Sequence, residues 1–292
     1  MAVVHLDGAI VMDKGSRRGS NIQARRVVPI LRKLREDKDI VAVVLNINSP
    51  GGSALASDLM WREIDLMAKD KPVVAVFEDV SASGGFYLAA PAHRIVARPG
   101  TLTGSIGVFG GKLVVGEGLR RLGVHAQQVS ESPNAHVYSP TRSFNQAQRS
   151  RFKASLQRFY DGFVRRVASG RKRPISEIEP HCRGRVWTGI EAAQHGLIDE
   201  FGDVRRGLSL ARELAEVSGP VRRVDVGTQP RRNAMQWAMQ RAMPGSASMQ
   251  LLGVVEPLFR IVSGARSTSN LEVLLDHPGQ AMAMMPFELE LR

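Results

Sequence analysis

Apolar residues along this chain come in two kinds of run. The first kind is short, continuous and rich in β-branched residues: VAVVLNIN at 41–48, PVVAVFEDV at 72–80 and HRIVARP at 93–99. Such runs predict strands buried on both faces, as in a parallel sheet. The second kind recurs at intervals of three and four. Val27, Val28, Ile30, Leu31 and Leu34 predict an amphipathic helix over residues 24–36, with Pro29 obscuring where it starts. Further helices are predicted over 54–68 and over 145–170, the latter with Phe152, Leu156, Phe159, Phe163 and Val167 on one side. Residues 3–12 read as an opening strand, closed by the polar DKGSRRGSN loop.

Small-residue turns separate these runs: SPGGS at 49–53, SASGG at 81–85 and the glycine-rich GTLTGSIGVFGG at 100–111. Strand, turn, helix, strand is the rhythm of an α/β fold. A short helix is predicted over 176–179, and Thr188 and Glu191 have the spacing of a capping box. Beyond residue 215 the texture changes. Residues 219–245 are basic and Met-rich, and LLGVVEPLFRIV and AMAMMPFELELR are apolar pieces broken by Pro, Gly or charge. The division expected is an α/β domain over 1–225 and an extension over 226–292. That extension reads either as a packing extension of the domain or as an amphipathic contact with a membrane or partner.

Composition narrows the classes. A length of 292 residues, 43% of them hydrophobic and 23% charged, suits one large folded domain with appendages. The net charge of +12 favours an anionic neighbour such as a lipid surface, a nucleic acid or an acidic partner. The basic residues are dispersed and not interleaved with aromatics, which argues against nucleic acid. The single cysteine, Cys182, excludes an internal disulfide and a multi-cysteine zinc site, and reads as structural. The start MAVVHLDGAIV is too short for a signal peptide and contains His5 and Asp7. No run reaches the ~18 apolar residues of a spanning helix, so a membrane anchor is expected to come from elsewhere. No ligand cluster or Walker loop implies a metal or nucleotide cofactor.

Two turns carry candidate chemistry. Ser83 follows a buried strand and opens a helix, with Gly84 and Gly85 behind it. Free backbone N–H groups at a helix N-terminus favour developing negative charge, as a nucleophilic serine needs; a plain N-cap reads equally from the local pattern. Ser49-Pro50-Gly51-Gly52-Ser53 ends a neighbouring strand, where adjacent glycine amides can converge on one point as an oxyanion hole requires. Two such turns at adjacent strand ends can face one cleft.

INSPGGS, DVSASGGFYLAAPAHRIVARPGTLTGSIGVFGG and GRVWTGIEAAQHGLIDEFGD, in this order and spacing, resemble the serine-bearing region of the signal peptide peptidase A family. The resemblance runs from about residue 3 to 215. It implies a Clp-protease/crotonase-like fold of stacked strand-strand-helix units with a helical arm, assembly into an oligomeric ring, and a Ser-Lys dyad that degrades cleaved signal peptides at a bacterial inner membrane. By this resemblance Ser83 is the nucleophile, the amides of Gly51, Gly52 and Gly84 are oxyanion donors, and Ser105 lines the peptide cleft.

The lysine base is missing from the expected place. SPNAHVYSP at 132–140 contains none, and none occurs between Lys112 and Lys153. In the family's two-repeat form the first half supplies the lysine and the second the serine, and this chain resembles that second half. The base is then expected from another half, domain or chain. The alternatives are a non-catalytic scaffold or adaptor, and an acyl-CoA-binding enzyme of crotonase type. His136, beside the vacated position, is a candidate substitute base and also an ordinary loop histidine. Lys112 reads as surface charge or assembly contact, and Asp79 as a turn cap.

Overall fold

In the computed structural model, residues 1–13, 21–127, 132, 135–227 and 282–284 are described. Six strands form a parallel sheet: β1 (Ala2–Asp7), β4 (Val43–Ser49), β6 (Val73–Ala82), β7 (Arg94–Ala97), β10 (Glu200–Phe201) and β11 (Val224–Gly227), in the order β10-β7-β6-β4-β1-β11. The short β8 (Leu102–Gly104) continues it from the far end of β6 and pairs antiparallel with β9 (Val186–Thr188). A second small sheet contains β2 (Ala9–Val11), β3 (Asn21–Gln23), β5 (Gly51–Ser53) and β12 (Met282–Met284).

The continuous apolar runs have their predicted meaning, because both faces of the parallel sheet are covered. Along β4, Val43, Leu45 and Ile47 enter one core and Val44 enters another. Along β6, Val73, Ala75 and Phe77 face the first core, and Val74 and Val76 the second. The larger core lies under α1 (Ala24–Glu36), α2 (Ala54–Asp70) and α3 (Gly84–Ala89), and the smaller under α8 (Val204–Leu214). Period-two alternation between two apolar layers explains why these strands show no polar face.

Several boundaries differ from the expectation. The opening strand breaks at Gly8, whose φ of 100° turns the chain, so β1 and β2 join different sheets. α1 by contrast runs over Ala24–Glu36 as predicted, with Pro29 inside it. The 176–179 helix, α6, runs instead over Ile175–Ile178. The arm contains α4 (Gly116–Arg121) and the long α5 (Gln146–Gly170), whose N-terminus is closed by a reciprocal pair between Asn145 and Gln148. Only the end of the predicted α5 face is buried: Phe163 and Val167 join the core, Phe152 stacks on Phe144, and Phe159 is exposed. Thr188 and Glu191 form the predicted capping box on α7 (Gly189–Gln194). At the C-terminal side, the main sheet continues to Gly227, and LLGVVEPLFRIV lies outside the described residues.

Candidate active site

β4 and β6 are parallel neighbours, so their carboxyl ends place the SPGGS and SASGG turns side by side. Ser83 stands between Ala82, the last residue of β6, and Gly84, the first of α3. Its backbone adopts φ 51° and ψ −112°, a region costly for any residue with a Cβ. Sharp strand-to-helix turns of this kind hold a nucleophile's side chain at the head of a helix. The neighbours fix the turn: the Ser83 N–H donates to the Gly104 carbonyl at 2.9 Å, and the Tyr87 N–H to the Ser83 carbonyl at 2.8 Å.

Buried hydroxyls surround this turn, and their partners separate structure from chemistry. Ser57 Oγ donates to the Ser53 carbonyl, Ser81 Oγ to the Ile47 carbonyl and Thr103 Oγ1 to the Ser81 carbonyl. Ser53 Oγ accepts from the Ala56 N–H and Ser49 Oγ from the Gly51 N–H. Ser83 Oγ alone of these six is buried with no hydrogen-bond partner among the described residues. It makes no capping bond to α3 either, so the plain N-cap reading fails. A buried hydroxyl without a partner is costly and points to a functional position.

The glycines are required by contact. A Cβ on Gly84 would lie 2.7 Å from Ser57 Oγ and 3.1 Å from Gly51 Cα, and one on Gly52 would lie 2.0 Å from the Ile10 carbonyl oxygen. β5 therefore lies directly against the start of α3. The Gly84 amide, as the first of a helix, has no intrahelical acceptor and remains suited to an oxyanion. The Gly51 amide differs from the expectation, since it donates to Ser49 Oγ at 3.1 Å and would have to exchange that acceptor to act as a donor.

The remaining predicted residues fall as follows. Ser105 is buried at φ 46°, its N–H donates to the Arg185 carbonyl at 2.6 Å, and it lines a cavity of about 280 Å³ with Phe109, Tyr160 and Arg183. Lys112 is committed elsewhere: Nζ donates to the Val137 carbonyl at 2.8 Å and sits 4.2 Å from the centre of the Phe144 ring. Burial lowers its pKa, the direction a base would need. His136 is half-buried in a turn and makes no hydrogen bond to Ser83 Oγ. Asp79 is exposed and pairs with Arg98 at 3.6 Å; it caps nothing. Cys182 is buried, its Sγ lies 3.3 Å from the Ile178 carbonyl, and burial pushes its pKa up to about 12, which keeps it an unreactive thiol.

One network was not visible in the pattern. The Tyr87 hydroxyl donates to Asp58 at 2.7 Å, Asp58 pairs with Arg166 at 2.8 Å, and Arg166 stacks over Trp61. It ties α2, α3 and α5 together just behind Ser83, and burial followed by the Asp58 bond raises the Tyr87 pKa. These residues lie too far apart in sequence for any spacing to connect them. Among the described residues no group of three or more His, Cys, Asp or Glu side chains could hold a metal ion, and no helix is long and apolar enough to cross a membrane.

Residues 65–218 match peptidase family S49, a segment that includes Ser83 and runs through α8. The chain belongs to this family. Similar proteins include the chloroplastic serine protease SPPA of Arabidopsis thaliana, 39% identical over 220 residues, which cover 74% of this chain and 32% of that protein. Protease 4 of Salmonella typhi is 38% identical over 74% of this chain and 35% of its own length. Protease 4 of Haemophilus influenzae is 33% identical over 73% and 34%. The chain thus spans about a third of the length of these relatives. Among solved structures, a ClpP1 mutant from Listeria monocytogenes aligns with a TM-score of 0.46 and 17% identity over 70% of this chain and 94% of that one.

Proposed function

We propose that this S49 chain is the serine-bearing half of a Ser-Lys endopeptidase that cuts hydrophobic peptides, cleaved signal peptides among them, at a membrane surface. The observation that carries this reading is Ser83: a strained, buried hydroxyl without a partner, at the head of a helix whose first amide is free for an oxyanion. In the reaction, Ser83 Oγ attacks the scissile carbonyl carbon while its proton passes to a neutral amine. That proton then goes to the departing peptide amine, and water releases the acyl group from Ser83.

In this reading the amine comes from outside this chain. Lys112, at the near edge of the lysine-free stretch, is held by Val137 and Phe144, and among the described residues Ser83 Oγ has no hydrogen-bond partner. A lysine-bearing homologous half agrees with the chain's coverage of about a third of its relatives. The membrane reading rests on charge. One cleft of about 680 Å³ is lined by six basic residues and two carboxylates; Lys69, Arg166 and Arg171 pair with Asp65, Asp58 and Asp199, and Arg94, Arg165 and Lys172 leave an excess of positive charge suited to anionic headgroups. A second reading, a peptide-binding scaffold without turnover, is favoured by the same missing base and by the engaged Gly51 amide.

A fluorophosphonate probe separates these readings. Labelling expected of the half-enzyme is weak for the chain alone, strong after a lysine-bearing half is added, and absent in Ser83→Ala. No labelling under either condition would leave the scaffold, and acyl-CoA binding without labelling would move the chain to the crotonase class.

A further inference from the structure

The basic cleft lies where Arg94 begins β7, at the opposite end of the parallel strands from the Ser83 turn. Its three excess cations come from separate places: Arg94 from β7, Arg165 from α5, and Lys172 from just beyond the end of α5. All three are exposed, and none makes an ion pair among the described residues. Lys172 holds a left-handed backbone, φ 53°, a conformation that glycine or asparagine takes at lower cost. His93 lines the same cleft. Its Nδ1 accepts from the Val73 N–H, so the neutral ring carries its proton on Nε2, as a donor. Burial lowers the His93 pKa, and so do the charges of Lys172 and Arg94, which places both cations near the ring.

The geometry points to a binding site for a phosphate group in this cleft, carried by a soluble phosphoester or by a phospholipid headgroup. The headgroup source rests on the membrane reading above; the phosphate site does not. Two independent observations support it. The first is charge left over after every carboxylate pairing, on Arg94, Arg165 and Lys172. A phosphate monoester brings close to two negative charges and three terminal oxygens, enough to engage several of these donors at once, whereas a carboxylate brings one charge. The carbonyl end of α5 by itself favours cations nearby, but Arg94 stands on a strand and owes nothing to that dipole.

The second observation is a shortage of acceptors. Trp61 Nε1, Arg166 Nε and Arg171 Nε belong to residues that line the cleft, and all three are buried with no hydrogen-bond partner among the described residues. Each is an N–H donor, and buried donors without acceptors are costly. An anion held beside them offsets part of that cost. A cleft of about 680 Å³ also leaves room for the organic remainder of a phosphoester, against Ala68, Pro91 and Leu214.

The test titrates the full chain calorimetrically with inorganic phosphate and with glycerol phosphate, at low and constant ionic strength. Arg94→Gln together with Lys172→Asn removes two cations, and asparagine keeps the left-handed turn. Arg149→Gln together with Arg151→Gln, on the exposed start of α5, removes the same charge away from the cleft. Saturable one-to-one binding is expected, weakened about tenfold or more in the cleft pair and within about twofold of wild type in the other. No saturation in wild type, or equal weakening in the two pairs, would overturn the proposal. Retention on phosphatidic acid vesicles, measured in parallel, identifies the source. Retention that glycerol phosphate competes away and the cleft pair loses assigns the headgroup. Phosphate binding without vesicle retention supports the site with a soluble ester and sinks the membrane reading alone. Vesicle retention without phosphate binding sinks the site alone.

Discussion

At φ 51°, Ser83 keeps a conformation that glycine would accept freely, so the fold carries strain at that residue. Ser83→Gly is expected to stabilise the chain by about 1 kcal/mol in denaturant unfolding while abolishing probe labelling. Ser83→Ala should abolish labelling equally with a smaller gain, since it removes the buried unpartnered hydroxyl while its Cβ keeps the backbone strain. A gain in stability with loss of reactivity is the pattern of a strained functional position. A second residue-scale expectation concerns His93. Its Nδ1 accepts from the Val73 N–H at 3.1 Å, at the start of β6, and burial lowers its pKa below the ordinary 6.5. Below pH 6.5 the unfolded chain binds this proton more readily than the folded one. Stability present above 6.5 is therefore lost as pH falls through the folded value. Thermal unfolding between pH 7.5 and 5 should show a steeper decline for wild type than for His93→Asn, whose amide oxygen can accept the same bond without titrating. Parallel curves would sink the assignment.

At the scale of elements, what the sequence disclosed follows from what made each element form. β4 and β6 were legible because two apolar layers leave a continuous β-branched run, and α1 because its buried positions recur at helical spacing. β5 was not legible: Gly-Gly-Ser has no strand propensity and is extended only because Ile10 and β12 hold it. The serine turn was readable as a position, from the small residues after a strand. Its strain and orphan hydroxyl were not, since the turn is held by a bond from the Ser83 N–H to Gly104 of β8, more than twenty residues on, and the hydroxyl's isolation shows only once the chain is folded. The Tyr87, Asp58 and Arg166 network escaped for the same reason, being assembled from three helices. Gly52 tests how tightly β5 is placed. Gly52→Ala, with its Cβ 2.0 Å from the Ile10 carbonyl oxygen, is expected to destabilise by roughly 2–4 kcal/mol in urea unfolding. A loss below about 0.5 kcal/mol would show that the small sheet moves aside readily.

For the whole molecule, the charge of +12 leads to a measurable surface behaviour. Vesicles containing anionic lipid are expected to retain the chain at low ionic strength and release it as salt approaches 0.5 M, whereas neutral vesicles retain none. Exchanging Arg165 and Lys172 for Gln should weaken retention several-fold if the basic cleft is the contact. Retention that ignores salt would point instead to insertion of apolar residues.

The pairing of β1 with β11 joins Ala2 to Val224. During synthesis the first strand can pair with β4 early, but its other edge waits for more than two hundred further residues. At roughly 5–20 residues per second that interval is about 10–45 seconds. For that time a hydrophobic strand edge stands open on the ribosome, as an available template for another chain. The last strand of the main sheet thus sets how long the nascent protein needs protection.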